Sequence, residues 1–189
     1  MLLLPTEARR FLLRLARQAI EAHLQSTQLA DIFAELSGLP PAIRENSGVF
    51  VSLHASGTLR GCIGVVEPRL PLYRAVVDAA VAAAARDPRF APVTAVELPG
   101  IDLEISVASQ LYLITADGIR IGTHGLLVTQ GQARGVLLPQ VASERNWSRE
   151  QFLEETCRKA GLAPDAWRKG ARLEAFEVEI FGEKMSDVC

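Results

Sequence analysis

The chain is short of the residues that announce the commoner chemistries. Its three cysteines, Cys62, Cys157 and Cys189, are too few and too far apart for a disulfide framework or a Cys-x-x-Cys pair. The three histidines, His23, His54 and His124, show no His-x-x-x-His spacing, so no metal site is expected. No organic cofactor is expected either. The run Gly57-Thr58-Leu59-Arg60-Gly61-Cys62 lacks the lysine of a phosphate-binding loop, and no Gly-x-Gly-x-x-Gly opens a helix. There is no excess of positive charge: 20 basic and 22 acidic residues leave a net charge of −2. That excludes the basic footprint of a nucleic-acid binder and the polybasic run of a membrane-surface protein. Long apolar runs are missing too. Met1-Leu2-Leu3-Leu4 is broken at once by Pro5, Glu7, Arg9 and Arg10, so neither a secretory leader nor a membrane span is read here. Few cysteines and no leader together predict a reducing, cytoplasmic setting.

What is present suits a globular protein. Of 189 residues, 49% are hydrophobic and 22% charged, enough for one domain over 1–189 that can divide into two lobes. Leu12, Leu15, Ala16, Ala19 and Ile20 recur at helical spacing and predict a helix over Thr6–Leu24, with Thr6 as N-cap and Arg10, Arg14, Arg17 and Glu21 facing water. A short helix is expected over Leu29–Leu36, ended by Gly38, Pro40 and Pro41. The alanine-rich stretch from Leu72 to Arg86 is apolar on nearly every side and reads as a buried helix packed on a sheet, stopped by Asp87-Pro88.

Strand patterns fill much of the rest. Asp102 to Val107 alternates, and Leu111 to Pro139 reads as short antiparallel strands broken by glycines, with His124 at a glycine-flanked turn. Ser148 and Gln151 have the spacing of a capping box, and Gly161 suits the end of the helix they open, whose apolar face carries Cys157. Phe176, Val178 and Ile180 alternate with Glu177 and Glu179 as a closing strand, and Cys189 ends a polar tail. The pattern as a whole is α+β, a mostly antiparallel sheet with packed helices.

The stretch that points to chemistry is Leu59-Arg60-Gly61-Cys62-Ile63-Gly64. It follows Gly48-Val49-Phe50-Val51-Ser52-Leu53 across a short turn and reads as the second strand of a hairpin. A regular strand turns Leu59, Ile63 and Val65 inward and puts Arg60 and Cys62 on the other face. A guanidinium beside a thiol favours the reactive thiolate. Two glycines inside a strand call for a bulge or a close backbone approach. Asp87 and Arg89, just past the buried helix, read either as a helix stop or as a pair aimed at this hairpin.

With those pieces in order, the chain resembles the AMMECR domain family, called AmmeMemoRadiSam system protein A in prokaryotes. The resemblance rests on Gly48 to Val51, the Leu-Arg-Gly-Cys-Ile-Gly motif, Asp87 to Phe90 with Pro92, Glu97-Leu98-Pro99 and Leu103 to Val107. It continues through Gly122, His124-Gly125, Leu138 to Val141, Trp147 and Lys159 to Leu162. It implies two unequal lobes, with the N- and C-terminal segments both in the larger and the motif in a groove. It also implies a pathway shared with a Memo-like protein and a radical S-adenosylmethionine protein. It carries no settled reaction.

Two readings stand side by side. In the first, Cys62 is a nucleophile or thiol carrier, His124 its general base, and Glu104 or Asp87 the group that orients base or arginine. In the second, the same groove is a non-catalytic module. Arg60 and Arg89 then grip a small anionic ligand or a partner's peptide, and Gly61, Gly64 and Asp87 shape the substrate-binding surface.

Overall fold

The computed structural model describes residues 3–28 and 38–183. The helix expected over Leu29–Leu36 and the tail carrying Cys189 lie outside the described residues. The chain forms two compact units. One comprises Met1–Ala108 with Glu179–Cys189, and the other Ser109–Val178. The larger unit therefore takes in described residues from both the N-terminal and the C-terminal part of the chain. No helix among the described residues is long and apolar enough to cross a membrane.

The first unit is built on a four-stranded sheet in the order β2-β1-β3-β8. Its strands are β1 (Gly48–Ala55), β2 (Thr58–Val65), β3 (Ile101–Ala108) and β8 (Val178–Gly182). Helices α1 (Thr6–Leu24) and α2 (Leu72–Ala85) cover one face. Val49, Val51, Leu53, Leu103 and Ile105 from that face share a core with Phe11, Leu12, Leu15 and Ile20 of α1 and Val76, Ala80 and Ala83 of α2. The helix α1 has the expected bounds, but its N-cap is Pro5, whose extended backbone leads straight into Thr6 as the first helical residue. Thr6 therefore makes no side-chain cap. Nor does Arg17 face water. Its guanidinium donates to the carbonyls of Leu98 and Ile101 and pairs with Glu183 at 2.6 Å.

The hairpin turn is Ser56-Gly57, with φ of 50° and 79°. Two successive positive φ values suit the right-handed twist of the flanking strands, and Gly57 takes the second without strain. Gly61 serves a different end. A Cβ there would lie 2.3 Å from the carbonyl oxygen of Ala83, so glycine lets α2 close directly onto β2.

The second unit holds the other sheet, in the order β4-β7-β5-β6. Its strands are β4 (Tyr112–Leu113), β5 (Gly125–Gln130), β6 (Ala133–Leu137) and β7 (Arg172–Phe176). Two helices, α3 (Pro139–Glu144) and α4 (Arg149–Lys159), accompany it. Ser148 caps α4 in a full capping box with Gln151. The helix packs Phe152, Leu153 and Cys157 against Leu126, Val128, Leu137 and Leu173.

The closing strand differs from its sequence pattern. It is two strands, β7 in one sheet and β8 in the other, parted at Glu177. The break reverses the alternation: Glu179 and Phe181 are buried at 6% and 5% exposure, while Val178 and Ile180 are only half-buried. The Glu179 carboxylate is tolerated there because the main-chain N–H of Leu4 donates to it and Arg9 lies 2.8 Å away.

Candidate functional site

β2 is an edge strand, and it is not regular. Cys62 pairs with Ser52 and Gly61 with Leu53, but His54 pairs with Leu59, so a bulge sits at Leu53/His54. The extra residue is Arg60, which drops out of the simple alternation. Leu59 moves to the helix-free side with His54 and is 37% exposed rather than inward. Val65 keeps the inward register, but it stands at the end of the edge strand and is 44% exposed. Ile63 alone of the expected three packs against the core. Bulges raise local twist and re-aim side chains, and they concentrate beside functional sites.

On the face away from the helices, Cys62, Ser52 and Glu104 form one row across β2, β1 and β3. The Ser52 hydroxyl lies 3.2 Å from the Cys62 Sγ and donates to it. Glu104 stands one strand beyond Ser52, roughly 10 Å from Cys62 by strand spacing. All three are half-buried.

The backbone of Cys62 points to the open edge of the sheet, and side chains from the loop after α2 meet it. Pro88 disfavours helical geometry at Asp87 and ends the helix there. The buried Asp87 carboxylate accepts the main-chain N–H of Cys62 at 2.9 Å, the main-chain N–H of Arg89 at 3.1 Å and the Arg89 guanidinium at 2.7 and 3.0 Å. The same guanidinium donates to the Cys62 carbonyl oxygen at 3.3 Å. Asp87 and Arg89 thus occupy the place of a neighbouring strand. Arg89's hydrogen bonds, with those of the two main-chain N–H groups, hold the Asp87 carboxyl well below the usual carboxylate range.

Arg60 is committed elsewhere. It donates to the carbonyl of Ala91 at 2.9 Å and pairs with Glu97 at 3.2 Å, and it lies 6.0 Å from the Phe90 ring centre. The Thr94 amide and hydroxyl together with Arg60 lower the Glu97 carboxyl from its ordinary value. Gly64 is close-packed as well: a Cβ there would lie 2.2 Å from the Val49 carbonyl oxygen. Beside it, Ile63, Val65, Leu70, Ala79 and Ala82 line an apolar groove of ≈ 280 Å³ along α2.

His124 belongs to the second unit and is buried at 4% exposure. The main-chain N–H of Arg120 lies 3.2 Å from Nδ1 and the Arg120 guanidinium 3.3 Å from Nε2, with Tyr112 edge-on at 6.1 Å. A neutral ring has one acceptor nitrogen, so it can satisfy one of these donors, and protonation would repel both. Burial, reinforced by Arg120, pushes the imidazole below its ordinary value.

The first unit therefore gathers Cys62, Asp87 and Arg89 in direct contact, with Glu104 in the same row and Arg60, Gly61 and Gly64 along the same strand. Sequence reasoning passed over Ser52, His54 and Glu97. For Ser52 the sequence misleads, since counting back from a two-residue turn pairs it with Gly61, and only the bulge brings it opposite Cys62. Glu97 left no signal, because nothing local ties it to Arg60.

Comparison with known proteins gives the family and the fold. The family model for AMMECR1 matches residues 13–181. A protein of Methanosarcina acetivorans is 45% identical over 93% of this chain and 91% of its own length. One of Pyrococcus furiosus is 42% identical over 92% of this chain and 87% of its own. The crystal structure of the uncharacterized protein PH0010 from Pyrococcus horikoshii superposes with a TM-score of 0.88 at 39% identity, covering 96% of this chain and 94% of that one. The chain belongs to the AMMECR1 family.

Proposed function

We propose that this protein acts through the Cys62 thiol, as nucleophile or carrier, in the modification of a small molecule or macromolecule. In this reading a Memo-like protein and a radical S-adenosylmethionine protein are its partners. The observation that supports it is the unequal treatment of Cys62. Its main chain is fixed on the edge side by buried Asp87 and by Arg89, while its side chain stays half-buried and its Sγ accepts from the Ser52 hydroxyl. Cys157 is the contrast: fully buried, with its thiol raised above the ordinary range by desolvation. A packing cysteine needs no such frame, whereas a reacting atom gains from a position fixed in advance. Arg89, with 56% of its side chain exposed, is the group that meets an anionic ligand. Arg60, Gly61 and Gly64 build the strand around the thiol, Asp87 clamps it, and Glu104 supplies a carboxylate on the same face. His124, with both ring nitrogens facing Arg120, takes no part.

Alkylation with iodoacetamide, followed by site-resolved mass spectrometry, tests the reading. Cys62 is expected to label many times faster than Cys157 in the folded protein. If both label equally slowly, Cys62 is a packing residue and the reading falls.

The apolar groove beside Gly64 favours a second reading, a binding module for a partner's apolar segment. Val65 lines it and is exposed. A partner lost by Val65→Glu but retained by Cys62→Ser would select this reading over the first.

A further inference from the structure

We infer that His54 is the base that serves the Cys62 thiol, an inference that rests on the reading of Cys62 as a reactive group. Ser52 and His54 lie two apart on β1 and so share the face that carries Cys62. Because Cys62 is paired directly with Ser52, His54 stands on the diagonal to it, about 7–8 Å between Cα atoms and within reach of long side chains. The Ser52 hydroxyl, between them on this face, donates to Sγ at 3.2 Å. Across the sheet, His54 pairs in register with Asp102 of β3. Nucleophile, base and a neighbouring carboxylate then come from three adjacent strands. The bulge opposite Leu53/His54 lies in β2 at Arg60, and β1 itself runs in regular register against β3 through His54. His54 is half-buried and makes no hydrogen bond to another described residue, which leaves its ring nitrogens open to proton transfer.

The ionisable groups bordering His54 on this face are Cys62 and Arg60 from β2 and Asp102 and Glu104 from β3. Helices α1 and α2 cover the opposite face. In the step assigned here, the Cys62 proton passes to a His54 ring nitrogen while the Ser52 hydroxyl keeps donating to Sγ, leaving thiolate and imidazolium. With iodoacetamide as the electrophile, a sulfur–carbon bond forms and the carbon–iodine bond breaks. Iodide leaves with the electron pair, and the imidazolium returns its proton to water.

The experiment follows iodoacetamide labelling of Cys62 and Cys157 by mass spectrometry, between about pH 5 and pH 8, where imidazoles change charge. It compares the wild-type chain with His54→Gln, which keeps hydrogen-bonding atoms but cannot titrate, and His54→Ala with and without added imidazole. The expected result is at least a tenfold loss of Cys62 labelling near pH 7 in both variants. The wild-type pH dependence should flatten in His54→Gln, and imidazole should restore the rate in His54→Ala. Equal Cys62 rates and pH profiles in wild type and His54→Gln overturn the inference while leaving the reactive thiol standing. A loss that imidazole does not restore in His54→Ala overturns it too. Wild-type Cys62 labelling no faster than Cys157 removes the reactive thiol itself and the inference with it.

Discussion

The buried carboxylate of Asp87 accepts the main-chain N–H of Cys62 at 2.9 Å, so that a loop residue 25 positions away closes the edge of the strand that carries the thiol. Four hydrogen bonds converge on that carboxylate, one from Cys62 and three from Arg89. The edge of a sheet offers unpaired backbone groups to any passing strand. Here two side chains answer them at the one residue whose position matters to the proposed chemistry.

Asp87→Ala should therefore be costly. It leaves the Cys62 N–H without its acceptor and strips Arg89 of its partner, a loss of about 2 kcal/mol by the usual penalty for an unsatisfied buried group. Urea unfolding measures it, and a shift under a few tenths of a kcal/mol would show that the clamp is incidental. The pH dependence has a definite sign. The folded carboxyl is lowered, so its stabilisation is whole above roughly pH 4, the unfolded value, and drains away as the folded state is forced to take up a proton below it. The Asp87→Ala variant should lose stability less steeply on acidification than the parent.

Gly61 separates a packing role from a binding one. Its missing Cβ would sit 2.3 Å from a backbone carbonyl of α2, an atom that cannot swing aside. Gly61→Ala must push helix and strand apart, at about 1–3 kcal/mol. Thermal denaturation of this variant is the measurement. An unchanged midpoint together with lost ligand binding would return Gly61 to the ligand surface.

How much of this was legible follows from where each constraint lives. The helices α1 and α2, the hairpin, β3 and the Ser148 cap are local patterns, and they stand where periodicity puts them. The site is less local. Cys62 stands out because glycines flank it. Its clamp was half-visible, since Asp87-Pro88 had to turn and could turn toward the hairpin. The bulge that displaces Arg60 and exposes Leu59 has no periodic signature, because a single inserted residue leaves the strand composition unchanged. Glu179 is the sharpest case. Alternation counted from Phe176 turns it outward, but the chain changes sheets at Glu177, and its parity resets there. No window on the sequence reveals that the partner of this carboxylate is the backbone of Leu4, 175 residues away. His124 misleads for a related reason. A turn between glycines looks solvent-facing, yet the ring is folded under beside Tyr112 and Arg120.

That burial makes His124 a stability determinant with a pH signature. Its imidazole is held below the ordinary value by desolvation first and by the Arg120 charge second, with Glu177 opposing weakly. The folded state therefore binds the proton less readily than the unfolded chain. Below the unfolded value, about pH 6.5, the unfolded chain carries the extra proton, so stability falls as pH drops from there through the folded value and levels off beneath it. The opposite sign would require His124 to gain an acid partner on folding, and its near neighbours are a guanidinium and a phenol ring. His124→Asn supplies a side-chain oxygen that can take the Arg120 main-chain N–H and cannot titrate in this range. It should melt lower than the parent at about pH 7.5, because the smaller side chain leaves a gap in a buried site, but its melting temperature should fall less between about pH 7.5 and 5.5. The slope, not the absolute midpoint, is the readout. Equal slopes in parent and variant would mean that His124 keeps its proton on folding and that the Arg120 contacts do not hold it neutral.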